Sequence, residues 1–127
     1  MAHAMPVARD VGSVLLVEDD PEIARLYALK LRMDGYRVTV AGDEAAAEAA
    51  FRRERPVVVC VDARLPGGGG RMLAERLAAG GPPIVLLTND QAAFERPPPG
   101  VARALIKART SPTQLSVAIE ELTSVEM

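Results

Sequence analysis

Val14-Leu15-Leu16-Val17-Glu18-Asp19-Asp20-Pro21-Glu22-Ile23 is the stretch on which the fold turns. Four aliphatic residues run unbroken into three acids, and a proline follows. A short run of Val and Leu reads as a strand buried on both faces, the kind found in parallel sheets. The pattern recurs at Val57-Val58-Val59-Cys60-Val61, which runs straight into Asp62. In an open parallel sheet, ligand sites lie outside the carboxyl ends of the strands. If the two strands are neighbours, Glu18, Asp19 and Asp62 share one crevice. Three carboxylates that close repel one another unless a cation or a proton intervenes. The expectation is a divalent-metal site with an aspartate in it.

Outward from these two runs, the chain alternates strand-like and helix-like segments at the spacing of βα units. Asp20 can cap a helix with Pro21 in its first turn, and Ile23, Tyr27 and Leu31 follow at i, i+4 and i+8 until Gly35 ends it. Tyr36–Ala41 reads as a second strand. Gly42-Asp43 opens an alanine-rich helix that Pro56 stops near Arg55. After the Val57–Val61 strand, Leu65-Pro66 and Gly67 to Gly70 form a flexible loop before a helix over about Arg71–Ala79. No Lys-Ser/Thr follows the glycines, so they do not make a P-loop. Ile84-Val85-Leu86-Leu87 is a fourth buried strand ending on Thr88. Val101–Ile106 is a fifth, ending on Lys107. Ser111-Pro112-Thr113-Gln114 has the form of a capping box, and its helix carries Leu115, Ala118, Ile119 and Leu122 on one face. Between Thr88 and Pro97 there is room for about two helical turns at most, because a residue preceding proline is pushed away from helical angles.

The bulk properties narrow the class. At 127 residues the chain is one domain, with 49% apolar residues but only two Tyr and two Phe. Its core is therefore aliphatic. A net charge of −2 with interspersed signs argues against a nucleic-acid footprint. No stretch reaches the roughly 20 apolar residues of a membrane span, and the first ten residues lack the apolar centre of a secretory signal. Residues 1–12 read as a disordered tail containing His3, the only histidine, and residues 13–124 as the folded domain. Cys60 is the only cysteine, so no intramolecular disulfide forms; inside a Val-rich strand it reads as a small buried hydrophobe.

Four strand tips thus carry functional groups: Glu18 with Asp19, Asp62, Thr88 and Lys107. This ordered set, with the stretches Leu15–Ile23 and Asp62-Ala63-Arg64-Leu65-Pro66-Gly67 plus Gly70, resembles the receiver domain of two-component response regulators. The resemblance covers about Ser13 to Leu122. It implies an α/β, flavodoxin-like (CheY-like) fold: a five-stranded parallel sheet in the order 2-1-3-4-5, helices on both faces, the fourth helix here short or missing. It also implies that Asp62 is the phosphoacceptor. Mg²⁺ would be held directly by Asp19 and Asp62, by Glu18 partly through water and by the Arg64 backbone carbonyl, with Thr88 and Lys107 contacting the phosphoryl group. The implied partners are a sensor histidine kinase or phosphotransfer protein and a downstream protein, with no direct contact to nucleic acid or membrane, in the cytoplasm.

Several positions depart from the family pattern. Ala108 stands where a proline in cis linkage usually follows the lysine, and Asn89 where a small residue follows the threonine. Ala104 stands where an aromatic residue reports phosphorylation by rotating. The phosphorylation chemistry reads as preserved and the usual output face as non-standard. Arg64 and Asp90 are opposite charges that could pair across the mouth of the site and hinder attacking water, or could equally be two unrelated surface charges. The favoured reading is a stand-alone receiver phosphorylated on Asp62. One alternative is a degenerate receiver acting as a phosphorylation-independent interaction module. The other is an Asp-nucleophile phosphatase of the haloacid dehalogenase type. That class wants an acid two residues after the nucleophile, where this chain has Arg64, and it needs an inserted cap.

Overall fold

The computed structural model describes residues 11–124; most of the expected tail, with His3, lies outside them. Five strands alternate with helices: β1 (Ser13–Val17), α1 (Pro21–Met33), β2 (Arg37–Ala41), α2 (Glu44–Glu54), β3 (Val58–Asp62), α3 (Gly70–Ala78), β4 (Ile84–Thr88), α4 (Gln91–Glu95), β5 (Arg103–Ile106) and α5 (Pro112–Thr123). Short 3₁₀ turns at Pro66–Gly68 and Lys107–Arg109 complete the chain path. All strand pairs are parallel, in the order β2-β1-β3-β4-β5.

The strands β1, β3 and β4 are buried along their whole lengths, as their unbroken aliphatic runs require. Successive side chains point to opposite faces. Leu15, Val17, Val59, Val61, Ile84 and Leu86 therefore meet Ala47 and Ala50 of α2 and Leu73, Ala74 and Leu77 of α3. On the other face, Val14, Leu16, Val58, Cys60, Val85 and Leu87 meet Ala24, Tyr27, Ala28 and Leu31 of α1 and Leu115 and Ile119 of α5. Each large aliphatic side chain taken out of water this way contributes about 1.5–3 kcal/mol. The small alanines let α2 approach the sheet closely.

Local signals set the element ends. Asp20 Oδ1 accepts the backbone N–H groups of Glu22 (2.9 Å) and Ile23 (3.3 Å), so it caps α1. At the other end Gly35 takes a left-handed φ of 103°. The Tyr36 N–H then reaches the Leu31 carbonyl and the Gly35 N–H that of Arg32, a Schellman ending. Because the Tyr36 amide is spent on α1, β2 starts at Arg37, one residue later than the hydrophobic alternation predicts. Arg55 ends α2 in a left-handed conformation at φ 48° immediately before Pro56. The capping box of α5 is present, with Ser111 Oγ accepting the Gln114 N–H and Gln114 Oε1 accepting the Ser111 N–H.

One further strand is shorter than its pattern predicts, and one helix is as short as expected. Instead of beginning at Val101, β5 begins at Arg103, because the Val101 N–H turns back to the Pro98 carbonyl. Five residues form α4, the short fourth helix expected from the Pro97-Pro98-Pro99 block. The glycine segment, expected as a flexible loop, carries the 3₁₀ turn and then α3 from Gly70. Among the described residues no helix is long and apolar enough to cross a membrane.

Candidate functional site

Parallel pairing places the acids. Val17 of β1 is level with Val61 of β3, so the next residues, Glu18 just past β1 and Asp62 at the last position of β3, stand side by side at the carboxyl end of the sheet. The Glu18 N–H donates to the Ala41 carbonyl at 2.9 Å, which keeps this position in register with β2. Both side chains are buried, at 2% exposure for Glu18 and 3% for Asp62, while Asp19 is exposed. Carboxylate oxygens of Glu18, Asp19 and Asp62 all lie within 4.8 Å of one another.

Lys107 answers this concentration of charge. It follows β5 directly and extends its ammonium between the acids, with Nζ donating to Asp62 Oδ2 at 2.8 Å and lying 2.9 Å from Glu18 Oε1. Burial alone would lower the lysine pKa, but the hydrogen bond to Asp62 and the charges of Glu18 and Asp62 outweigh it and hold the ammonium above its ordinary value. Glu18 moves the other way from a usual ion-paired acid. Its burial, reinforced by the Asp62 charge, raises its pKa despite the contacts with Lys107 and the Asp20 amide.

The remaining oxygens show what is still available. Asp62 Oδ1 accepts the Arg64 N–H at 2.9 Å, and Glu18 Oε2 accepts the Asp20 N–H at 3.1 Å. Glu18 Oε1 is buried and, although close to Lys107 Nζ, has no hydrogen bond of acceptable geometry. A buried carboxylate oxygen that accepts no hydrogen bond, beside two further carboxylates, fits a small hard cation, which prefers oxygen ligands and retains water. The Arg64 carbonyl accepts no hydrogen bond from the described residues. The acid cluster could therefore hold a divalent metal. It opens on a cavity of about 320 Å³ lined by Glu18, Asp19, Asp62, Arg64, Asn89 and Lys107, among others.

Thr88 lies at the tip of β4, where it is buried, and its Oγ1 accepts the Asp90 N–H at 3.0 Å. It does not line the cavity. The cap of α4 is Asp90, which accepts the Ala92 N–H at 3.0 Å. Among the described residues Arg64 and Asp90 form no ion pair and stand as two separate charges, with Asp90 Oδ1 spent on the cap. The Cys60 thiol is wholly buried and pushed up to about 12 by that burial, as expected of a structural cysteine.

Sequence reasoning treated Asn89 and Ala108 as two unrelated departures, and the structure joins them. The Ala108 N–H donates to Asn89 Oδ1 at 2.8 Å. On the opposite side of the same turn, Tyr27 Oη donates to the Thr110 carbonyl at 2.8 Å. A buried aromatic hydroxyl needs a partner, and that was the available signal for Tyr27. No local pattern marks the Asn89 contact, because its partner is 19 residues away. A larger cavity of about 610 Å³ lies at the other end of the sheet, beside Asp34, Tyr36 and Ser116. Three of its polar groups are joined to one another: Ser116 Oγ donates to Asp34 Oδ2 and Lys30 Nζ to Asp34 Oδ1.

Comparison with known proteins agrees with this geometry. A family model described as the response regulator receiver domain matches residues 14–112. Among curated proteins, one named "Probable transcriptional regulatory protein TcrX" from Mycobacterium tuberculosis is 46% identical over 54 residues, covering 42% of this chain and 23% of that protein. The DNA-binding response regulator MtrA of Mycolicibacterium smegmatis is 41% identical over 54 residues, 42% of this chain and 24% of that protein. The matched segment thus spans about a quarter of these relatives' length. Among solved structures, the receiver domain of the sensor histidine kinase PA1611 from Pseudomonas aeruginosa PAO1 superposes with a TM-score of 0.73 and 27% identity, covering 88% of this chain and 97% of that one. That structure has a magnesium ion coordinated in its active site cleft. The receiver domain of the Francisella response regulator 1452 superposes with a TM-score of 0.78 and 24% identity over 88% and 96% of the two chains, a likeness of fold.

Proposed function

The chain belongs to the response regulator receiver family, and from that premise we propose that it accepts a phosphoryl group on Asp62 in a Mg²⁺-dependent reaction. The observation that carries this reading is the Lys107 ammonium set between Asp62 Oδ2 and Glu18 Oε1 beside a metal-competent acid cluster. A sensor histidine kinase or a phosphotransfer protein is the donor, a cytoplasmic reaction, and a downstream protein reads the result. Residues 13–124 are the unit that does this and need no further domain for the chemistry. The reading includes no direct contact with nucleic acid, consistent with the absence of a strong positive balance in the chain.

The residues divide the work in physical terms. The Arg64 N–H fixes Asp62 Oδ1, which orients the carboxylate at the cavity floor. An Asp62 oxygen attacks phosphorus, the bond from phosphorus to the donor nitrogen breaks, and the nitrogen leaves with its electron pair. Lys107 shifts its charge from the carboxylate to the phosphoryl oxygens, and the Thr88 hydroxyl, whose proton is not committed by accepting the Asp90 amide, would donate to another on turning toward the cavity. Glu18, Asp19, Asp62 and the Arg64 carbonyl would hold Mg²⁺, which supplies positive charge to the crowded oxygens when bound.

A second reading, a phosphorylation-independent interaction module, is favoured by the five-residue α4 and by Ala104, a small side chain at a buried position of β5. Both readings share a non-standard output face. One experiment separates them. Incubation with a small phosphodonor and Mg²⁺, followed by intact mass, yields one added phosphoryl group in the wild type and none in Asp62→Asn. No adduct on the wild type would favour the interaction module. Rapid turnover of the donor without accumulation would favour a phosphatase.

A further inference from the structure

The sheet stops holding the chain one residue before Lys107. The last pair of the β4–β5 ladder is Thr88 with Ile106, and Lys107 begins a 3₁₀ turn whose own bond runs from the Thr110 N–H to the Lys107 carbonyl. A long lysine side chain rooted in a short turn has many conformers open to it. Yet Lys107 is only 17% exposed and reaches two acids at hydrogen-bonding distance. Something beyond the ladder therefore fixes its root.

Three contacts hold this turn. Thr110 Oγ1 donates to the Ile106 carbonyl at 2.8 Å, a bond within the turn itself. Tyr27 ties the far end at Thr110 to α1. The third falls on the residue next to the lysine: the Ala108 N–H donates to Asn89 Oδ1 across the gap between the β4–α4 and β5–α5 connections. Each partner is necessary for it. A proline at 108 would have no N–H to give, and a side chain at 89 without an acceptor oxygen would leave that N–H to solvent. The acceptor role also settles the orientation of the Asn89 amide, since only its oxygen can receive a backbone N–H.

We propose that Asn89 is a positioning residue: by accepting the Ala108 amide it fixes the turn that starts at Lys107 and holds the lysine ammonium against Asp62. Because Asn89 follows Thr88 directly, the same bond ties the tips of β4 and β5 into one unit. The catalytic meaning of this contact rests on the reading of Lys107 as a partner of the transferred phosphoryl group, whereas the ordering of Lys107 does not.

The chain contains two lysines, Lys30 and Lys107, so selective ¹³C labelling at lysine Cε gives a reporter and an internal reference. Lys30 is paired with Asp34, remote from the site. In Asn89→Ala, exchange of the Ala108 amide accelerates roughly fivefold, the factor that one ordinary hydrogen bond is worth. The Lys107 Cε order parameter falls while that of Lys30 is unchanged. The maximal rate of Asp62 phosphorylation by a small donor drops without a change in its dependence on donor concentration. Asn89→Asp, which keeps an acceptor oxygen, restores slow exchange and Lys107 order. On an Ala108→Pro background, which lacks the N–H, Asn89→Ala has no further effect on Lys107 order. Unchanged Lys107 order in Asn89→Ala, or failure of Asn89→Asp to restore it, overturns the proposal, and these two variants decide it if Ala108→Pro does not fold. A wild type that forms no Asp62 adduct would refute the phosphoacceptor reading, while exchange and order would still decide the positioning role.

Discussion

The Lys107 ammonium is shared by carboxylates from two strand tips, 2.8 Å from Asp62 Oδ2 and 2.9 Å from Glu18 Oε1. Removing it leaves two buried acids without a counter-charge. Breaking a fully buried ion pair typically costs about 3–5 kcal/mol, and the partial exposure of Lys107 reduces this to about 2 kcal/mol. Lys107→Met is therefore expected to lower the urea midpoint by that equivalent, with part of the loss recovered on adding Mg²⁺. An unchanged midpoint would show that the acids are already neutralised by protonation.

Mg²⁺ itself is expected to stabilise the folded chain. A ligand at tenfold its Kd, bound only by the folded state, adds about 1.4 kcal/mol. Thermal unfolding should shift upward with Mg²⁺ in the wild type and move little in Asp19→Asn or Asp62→Asn, which each remove a carboxylate from the cluster. An undiminished shift in both variants would place the ion elsewhere.

Gly70 tests how closely the backbone of the site is packed. A Cβ built there would lie 2.2 Å from the Asp62 carbonyl oxygen and 2.6 Å from that of Ala63. Those atoms are backbone and cannot swing away. Gly70→Ala is expected to cost about 2–3 kcal/mol and to slow phosphorylation by displacing Asp62. Gly42→Ala is the control, since a Cβ built there would have no atom within 4 Å beyond its own chain neighbours, and its effect should stay within about 0.5 kcal/mol. Denaturant unfolding of both variants makes the comparison.

Asp34 makes stability pH-dependent at the opposite end of the sheet. The hydrogen bond from Ser116, and then the hydrogen bond and charge of Lys30, hold its pKa below the ordinary carboxylate value. A depressed folded pKa means stability that is present above the unfolded value, about 3.9, and lost as pH falls through the folded one. Asp34→Asn should flatten the acid limb of the urea midpoint against pH. An unaltered limb would assign acid sensitivity to other carboxylates.

Cys60 should be inert while the chain is folded. Its thiol is wholly buried and pushed up to about 12, so almost no thiolate exists at neutral pH. A thiol reagent is expected to label it only at the rate of global opening, and labelling should accelerate in step with added urea. Fast labelling in the native state would contradict its burial.

Much of the fold was legible because its determinants are local. The runs Val14–Val17 and Ile84–Leu87 have no polar residue to turn toward water, so only a doubly covered strand accommodates them. Asp20, Gly35 and the Ser111–Gln114 box mark helix ends through bonds spanning only a few residues. The Pro97-Pro98-Pro99 block limits α4 by restricting backbone angles, whatever surrounds it. Boundaries were less legible where a backbone amide had two competing acceptors, as at Tyr36 and Val101. Asp90 illustrates the same limit at the site: its charge left a pairing with Arg64 open, and in the fold it caps α4 through the Ala92 N–H instead.

By itself, the order of residues determined which chemical groups stand at the strand tips, because a strand's length and the acid or amine after it are properties of one segment. Only the tertiary structure decided how those groups share charge. Lys107 is 45 residues from Asp62, and their meeting depends on β5 lying two strands from β3 and on a turn braced from both sides. The same holds for Asn89 and Ala108. Read along the chain they are two separate departures; folded, they are donor and acceptor of one bond. A hydrogen bond needs both partners within about 3 Å, and folding alone brings together groups so far apart in the chain.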